Sequence, residues 1–163
     1  MILNHQRRVR VSIPALKVFL AAARKQLSLP DDSLTVALVT DSQIARWNAT
    51  YRGKRKPTDV LSFPADGCVR KKSSRRTGAN ARQSAARSAK KGKGSIAPSY
   101  LGDIAIAPAV ARRNAVRFGR TFEAEMRILI LHGVLHLMGY DHETDEGEMD
   151  RREAQLRRKL GLA

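Results

Sequence analysis

The 163-residue chain is poor in cysteine, aromatic side chains and acidic residues, and it contains no long apolar run. Its single cysteine, Cys68, excludes an intrachain disulfide and a cysteine-based zinc finger. No apolar stretch approaches the roughly 20 residues that a membrane span requires. The first residues, MILNHQRRVR, lack the apolar core and cleavage site of a signal peptide. We therefore expect a cytoplasmic protein that does not span a membrane.

The shortage of acidic residues leaves the chain strongly basic. Lys and Arg number 31 against 15 Asp and Glu, which gives a formal net charge of +16 at pH 7. A charge of this size favours a polyanionic partner, most simply nucleic acid. The chain length and the hydrophobic content of 42% are typical of one folded domain.

Much of the positive charge lies in one segment, residues 68–98. This segment contains ten Lys and Arg residues and no acid. It has too few apolar residues to offset the entropy lost on ordering. We therefore predict a single domain over residues 1–163, interrupted by a disordered basic insertion at residues 68–98. The insertion is either an electrostatic tether for RNA phosphates or a solvated loop without a specific role.

Strand and helix patterns alternate along the rest of the chain. Val9, Val11 and Ile13 alternate with polar residues as in a half-buried strand, and Pro14 suits the first turn of a following helix. Further strands are predicted at residues 34–39, 60–64 and 101–106, and further helices at residues 41–51, 108–118, 122–138 and 144–159. Asp41 is the expected cap of the second helix. The pattern predicts an α+β fold with a mixed four-stranded sheet and about five helices.

Three of the four histidines lie within eleven residues, at His132, His136 and His142. His132 and His136 are four residues apart and share one face of the predicted helix. Gly139 is suited to a left-handed helix cap, after which the chain can bring His142 back over that face. Three imidazoles would leave the fourth position of a tetrahedral zinc ion open, as in catalytic sites. We therefore predict a metal site rather than three unrelated histidines.

The histidine spacing matches the metzincin signature H-E-x-x-H-x-x-G-x-x-H with one difference. Gly133 stands where metzincins have the Glu that serves as general base. A zinc peptidase-like hydrolase would therefore need a carboxylate from elsewhere in the chain. Phosphodiester cleavage mainly needs stabilisation of phosphoryl charge, which the planar fork of an arginine supplies well.

Three sequence blocks carry a resemblance to a known family. The first is HGVLHLMGYDH at residues 132–142. The second joins NATYR at residues 48–52 to PTDVLSFP at residues 57–64, and the third is LGDIAI at residues 101–106. In residues, order and spacing they resemble the YbeY family, the bacterial rRNA maturation endoribonucleases, apart from the longer connection at residues 68–98. The resemblance extends from about Leu34 to Leu160.

The resemblance implies a zinc-dependent, single-strand-specific endoribonuclease with a zincin-like fold. The family acts in rRNA maturation at the 3′ end of 16S rRNA and in ribosome quality control. It implies that His132, His136 and His142 bind one Zn²⁺ and that Arg52 is the catalytic arginine, which holds phosphate or stabilises the transition state. Without the resemblance, Arg52 would be interpreted as a solvated surface residue.

The partners that the resemblance implies are single-stranded RNA, rRNA and the ribosome or small-subunit proteins. Two alternatives remain beside the endoribonuclease. One is the zinc peptidase-like hydrolase, and the other is a ribosome-associated RNA-binding factor with a structural metal.

Three aspartates are candidates to orient a ligand histidine or to bind substrate. Asp59 and Asp103 lie in otherwise apolar strand segments, where a buried acid needs a partner. A hydrogen bond to backbone or to Arg52 is the simpler role, and orientation of a zinc-bound histidine is the alternative. Asp141 precedes the third histidine and is either such an orienting group or a turn residue.

Overall fold

The computed structural model describes residues 1–65, 100–142 and 145–162, so the predicted basic insertion at residues 68–98 lies outside the described residues. The described residues form four strands and five helices, which confirms the predicted α+β fold with a four-stranded mixed sheet. The strands are β1 (Ile2–Asn4), β2 (Leu34–Leu38), β3 (Val60–Pro64) and β4 (Gly102–Ile106). The helices are α1 (Ile13–Leu27), α2 (Asp41–Arg52), α3 (Pro108–Arg117), α4 (Phe122–Leu137) and α5 (Glu148–Lys159).

The sheet has the order β1-β2-β4-β3, with β3 at an edge. β1 and β4 both run parallel to β2, whereas β3 is antiparallel to β4. The pairing of β3 with β4 continues past Pro64, because the amide of Ala65 donates to the carbonyl of Leu101 at 2.9 Å. Ala65, the last described residue before this gap, therefore lies next to Leu101, one residue after the description resumes.

Helix α4 lies in the centre of the domain and packs on the sheet. Most of its side chains are buried, together with Ile104 and Ile106 of β4. A Cβ atom on Gly133 would lie 2.8 Å from Cγ2 of Ile104, so the glycine lets the helix approach the strand closely. The Ser62 hydroxyl of β3 donates to the carbonyl of Gly133 at 3.2 Å. These contacts fix the end of α4 beside the edge strand.

Helix α2 packs with β3 and β4 in a second, smaller apolar cluster. Ile44 is fully buried there, with Leu61 and Ala105 beside it and Trp47 and Phe63 at its margin. Gly53, at φ +67°, ends the helix directly after Arg52. The last turn of α2 therefore lies next to the edge strand.

The strand predicted at Val9, Val11 and Ile13 is wrong. The first strand is β1 at Ile2–Asn4, and Ile13 begins α1, with Pro14 in the first helical turn as expected. Val9 is buried, but its backbone is paired with the side chain of Gln6: the Gln6 amide donates to the Val9 carbonyl and accepts from its N–H, both at 2.9 Å. A side-chain amide thus replaces the strand partner that the alternating pattern predicted.

The cap of α2 is also one residue earlier than predicted. The Thr40 hydroxyl accepts from the amide of Gln43, and the Gln43 side chain accepts from the Thr40 amide, which forms a capping box. Asp41 lies instead in the first turn, where its negative charge still favours the helix dipole. None of the helices in the described ranges is long and apolar enough to span a bilayer.

Candidate metal centre

The C-terminal end of α4 brings the three predicted histidines together. His132 and His136 lie on the last two turns of the helix. The amide of Gly139 donates to the His136 carbonyl and the amide of Tyr140 donates to the Leu135 carbonyl, while Gly139 has φ +88°. This pair of hydrogen bonds is a Schellman cap, which needs a residue that tolerates the left-handed region. The cap reverses the chain and returns His142 toward the helix.

The imidazoles converge closely enough to hold one metal ion. One ligand nitrogen from each ring lies within 4.8 Å of the others. The Nε2 atoms of His132 and His136 are 3.1 Å apart. The centroid of the His142 ring lies 5.4 Å from the centroid of the His132 ring and 5.3 Å from that of the His136 ring. Two nitrogens bound at about 2.0–2.1 Å to a tetrahedral ion lie roughly 3.4 Å apart. The donor set therefore fits a metal ion bound by three histidines.

A fourth residue, Glu153 of α5, supports this cluster. Its Oε2 atom lies 2.8 Å from Nδ1 of His132, and its Oε1 atom accepts from Arg157 at 2.6 Å. The carboxylate is mostly buried. An Nδ1–H group that donates to a carboxylate leaves Nε2 of the same ring free of a proton and available to a metal. Glu153 therefore selects the tautomer that a metal ligand needs.

Sequence reasoning missed Glu153. The only local signal was its spacing to Arg157, an ordinary i,i+4 pair on the surface of a predicted helix. The contact with His132 depends on how α5 packs against α4, which no local pattern reports.

The electrostatics of the cluster agree with this arrangement. Burial favours the neutral form of Glu153, but the hydrogen bond from His132 and the charge of Arg157 outweigh it, so the pKa of Glu153 lies below its usual value. Burial, followed by the two neighbouring imidazoles, lowers the pKa of His136. At neutral pH His136 is therefore neutral, which is the form that binds metals.

The histidines open into a groove of about 980 Å³ between the end of α2, strand β3 and the turn after α4. Arg52, Asp59 and Asp141 line this groove together with all three histidines. The structure thus brings six of the seven predicted site residues to one surface. Asp103 is not among the lining residues of the described chain.

The aspartates differ in what they contact. Asp59 accepts from the Val60 amide at 2.8 Å and from the Asn114 side chain at 2.9 Å, which ties the start of β3 to α3. Asp103 is exposed and accepts from the Tyr100 hydroxyl at 2.5 Å. Asp141 lies close enough to His136 for its charge to act on that ring.

Gly133 also explains why the metzincin base is missing. Its Cα faces Ile104, which is fully buried in the sheet, so this position has no room for a carboxylate side chain. Glu153 cannot take that role because it lies on the Nδ1 side of His132, away from the Nε2 atoms that converge. The arrangement therefore offers an arginine and a candidate metal site, with glycine instead of glutamate at residue 133 of the ligand helix.

Comparisons with known proteins agree with the geometry. The family model for endoribonuclease YbeY matches residues 2–161. Endoribonuclease YbeY of Koribacter versatilis is 36% identical over 162 residues, which cover 99% of this chain and 86% of that protein. Endoribonuclease YbeY of Solibacter usitatus is 39% identical over 150 residues, covering 91% of this chain and 80% of that protein.

A solved structure has the same fold. The solution structure of TM1509 from Thermotoga maritima aligns over 98% of this chain and 89% of its own, with a TM-score of 0.57 and 24% identity. The match of the family model over nearly the whole chain, together with these relatives, indicates that the protein is an RNA-cleaving hydrolase. The chain belongs to the endoribonuclease YbeY family.

Proposed function

We propose that this protein is a zinc-dependent, single-strand-specific endoribonuclease that acts in rRNA maturation at the 3′ end of 16S rRNA and in ribosome quality control. The observation that carries this proposal is the convergence of three imidazole nitrogens within 4.8 Å in a groove that also contains Arg52. The family assignment supports RNA as the substrate, and the net charge of +16 supports a polyanionic partner.

In this proposal His132, His136 and His142 hold one Zn²⁺, and Glu153 orients the ring of His132. Zinc in such a site supplies Lewis-acid stabilisation and a water of lowered pKa at neutral pH. Arg52 binds the phosphate to be cleaved through its planar guanidinium and stabilises the charge that develops on it. Asp59 keeps β3 in position at the groove through its bond to Asn114.

The same site explains the preference for phosphodiesters over peptides. Metzincins have their general-base glutamate at the position of residue 133, where the glycine of this chain packs on Ile104, so a peptidase would have to use an aspartate of the groove instead. An arginine in the groove instead matches the charge of a phosphodiester. The cytoplasmic location and the ribosome or small-subunit proteins as partners follow from the rRNA substrate.

The decisive experiment compares purified wild-type protein with His136→Ala on short single-stranded RNA, with metal content measured on the same samples. We expect about one zinc per wild-type chain and cleavage that a chelator abolishes and added zinc restores. His136→Ala should lose both the metal and the cleavage, because two imidazoles hold zinc far less tightly than three.

His5→Ala is the matched control, since His5 is an exposed histidine outside the cluster. It should retain metal and cleavage. Equal cleavage by His136→Ala and wild type, at matched purity, would attribute the activity to a contaminant. RNA that is bound but never cut, with a melting temperature that falls when the metal is removed, would favour the binding factor with a structural metal.

A further inference from the structure

The exposed ring of Tyr51 lies at the same groove as the histidines. Tyr51 is 67% exposed, although it is a large aromatic residue at the end of a helix. Of the large hydrophobic side chains that are exposed in the described residues, it is the one that lines this groove. Exposure of a single aromatic residue is ordinary, so the informative observation is its position in the groove that contains the three histidines.

The ring of Tyr51 is held in place by packing against other aromatic rings. Phe63 of β3 meets Tyr51 edge to face, with ring centroids 5.2 Å apart and an angle of 73°. Phe63 in turn meets Trp47 in the same way, at 5.9 Å and 84°. This aromatic row begins in the apolar cluster under α2 and ends at the exposed Tyr51 ring.

Four basic residues follow Tyr51 closely in the chain. Arg52 follows it directly and lines the groove, and Lys54, Arg55 and Lys56 form an exposed loop immediately after α2. The Asn48 side chain donates to the Lys56 carbonyl at 2.7 Å, which holds this loop back against the helix. An exposed aromatic ring among cations is the arrangement that binds single-stranded nucleic acid: the charges attract phosphates and the ring stacks on a base.

We propose that Tyr51 is a stacking platform for one unpaired nucleobase of the substrate RNA, next to the phosphate that Arg52 contacts. This inference rests on the proposed function of the groove and adds a base-binding subsite to it. A base in a duplex is already stacked on both faces and cannot lie flat on a protein ring. The subsite therefore accepts single strands and tolerates any base, since each base has a π-face.

The test combines variants of Tyr51 with RNAs that lack one base. The metal-loaded protein is given one short single-stranded RNA and a series of the same RNA with a single abasic site at successive positions near the cut. For wild type, one abasic position should lower kcat/KM about 5- to 150-fold, the range that corresponds to the loss of one base–aromatic stack. Tyr51→Ala should show the same loss on intact RNA and no additional loss at that position.

Two variants serve as controls. Tyr51→Phe keeps the ring and should restore the sensitivity to the abasic position that Tyr51→Ala loses. Phe118→Ala removes another exposed aromatic side chain, 51% exposed and flanked by the guanidinium groups of Arg117 and Arg120, outside the groove. Phe118→Ala should show the same dependence of kcat/KM on the position of the abasic site as wild type. Quenching of a 2-aminopurine base at the sensitive position, present with wild type and absent with Tyr51→Ala, reports the stack independently of cleavage.

The outcomes separate this inference from the proposed function. If wild type cleaves RNA but no abasic position is sensitive, or if Tyr51→Ala keeps the wild-type profile, the platform is wrong and the nuclease proposal stands. If Tyr51→Phe loses as much as Tyr51→Ala, the hydroxyl group rather than stacking is responsible, which also overturns the platform. A metal-loaded wild type that neither binds nor cleaves single-stranded RNA overturns both.

Discussion

The imidazole of His132 has contacts on both sides of its ring. Its Nε2 atom lies 3.1 Å from Nε2 of His136, and its Nδ1 atom lies 2.8 Å from Glu153. Glu153 is in turn held by Arg157 at 2.6 Å. Two linked contacts from α5 thus determine the orientation of a candidate metal ligand on α4. Such outer hydrogen bonds commonly raise metal affinity and fix the ligand geometry.

Substitution of Glu153 should therefore lower the zinc affinity more than it lowers the stability of the fold. We expect Glu153→Ala to lower zinc affinity about 10- to 100-fold, and Glu153→Gln to lose less because its side-chain oxygen still accepts from Nδ1. Competition with a chromophoric chelator measures this change. The downfield Nδ1–H proton resonance of His132 should disappear in Glu153→Ala.

The matched control is Glu148→Gln, an exposed glutamate on the same helix, which should keep wild-type affinity. A merely structural role for Glu153 would lower the melting temperature of the metal-free protein and leave the zinc affinity of its folded fraction unchanged. That result would contradict the positioning role.

The residues that sequence could predict are those whose arrangement is local. His132, His136 and His142 are separated by one helical turn and one glycine turn, so their convergence follows from backbone geometry alone. The contact of Glu153 with His132 spans 21 residues and depends on how two helices pack. Asp59 and Asp103 both lie at or within strand segments, yet only Asp59 lines the groove. Which residues reach a shared groove is decided by the fold.

At the scale of elements, the approach of α4 to β4 depends on Gly133. Its backbone is helical, so the glycine is not required by its φ angle, and a helix interior ordinarily disfavours glycine by about 1 kcal/mol relative to alanine. The close contact with Ile104 reverses this preference, since three Ile104 carbon atoms lie 2.8–3.2 Å from the position of a Cβ atom. Ile104 is fully buried in a central strand and has little space to move.

We expect Gly133→Ala to lower the free energy of unfolding by up to about 2 kcal/mol, since an overpacking cost of about 1–3 kcal/mol is only partly offset by a gain of about 1 kcal/mol in helix propensity. Urea unfolding of the metal-free protein measures this change in the free energy of unfolding. In an Ile104→Ala background the clash is absent, so the same substitution should become neutral or stabilising. If Gly133→Ala also stabilises the protein that retains Ile104, the prediction is wrong, and α4 can move away from β4 at little cost in free energy.

Element boundaries show the limit of pattern reasoning in this chain. The sequence predicts strands β2, β3 and β4 from their apolar runs. It predicts helices α3 and α4 as well, and the structure shows Pro108 in the first turn of α3 and Thr121 as the cap of α4. β1 was missed because its three residues are too few to show an alternating pattern, whereas Val9 to Ile13 show one. The pairing of Val9 with the Gln6 side chain is a tertiary detail that the alternation cannot distinguish from a strand.

At the scale of the whole molecule, the positive charge is divided between the described domain and the segment outside it. Residues 70–93 carry ten Lys and Arg and no acid, so the rest of the chain has a net charge of +6. Log affinity for single-stranded RNA falls with log salt by about 0.7 for each phosphate that the protein neutralises. The salt dependence of binding therefore measures how many of these charges contact RNA.

Deletion of residues 70–93 should weaken RNA binding and flatten its salt dependence without disturbing the fold. Ala65 and Leu101 are hydrogen bonded at 2.9 Å, and ten residues remain between Ala65 and Tyr100 after the deletion, enough to connect an antiparallel pair. Titration of labelled RNA at several salt concentrations gives the slope, and the melting temperature checks the fold. A variant of full length with the ten Lys and Arg replaced by Gln should match the deletion, because the effect comes from charge. If the slope of log affinity against log salt is unchanged in both variants, RNA binds to the described groove and its surroundings. The segment would then be a connection that does not contact RNA.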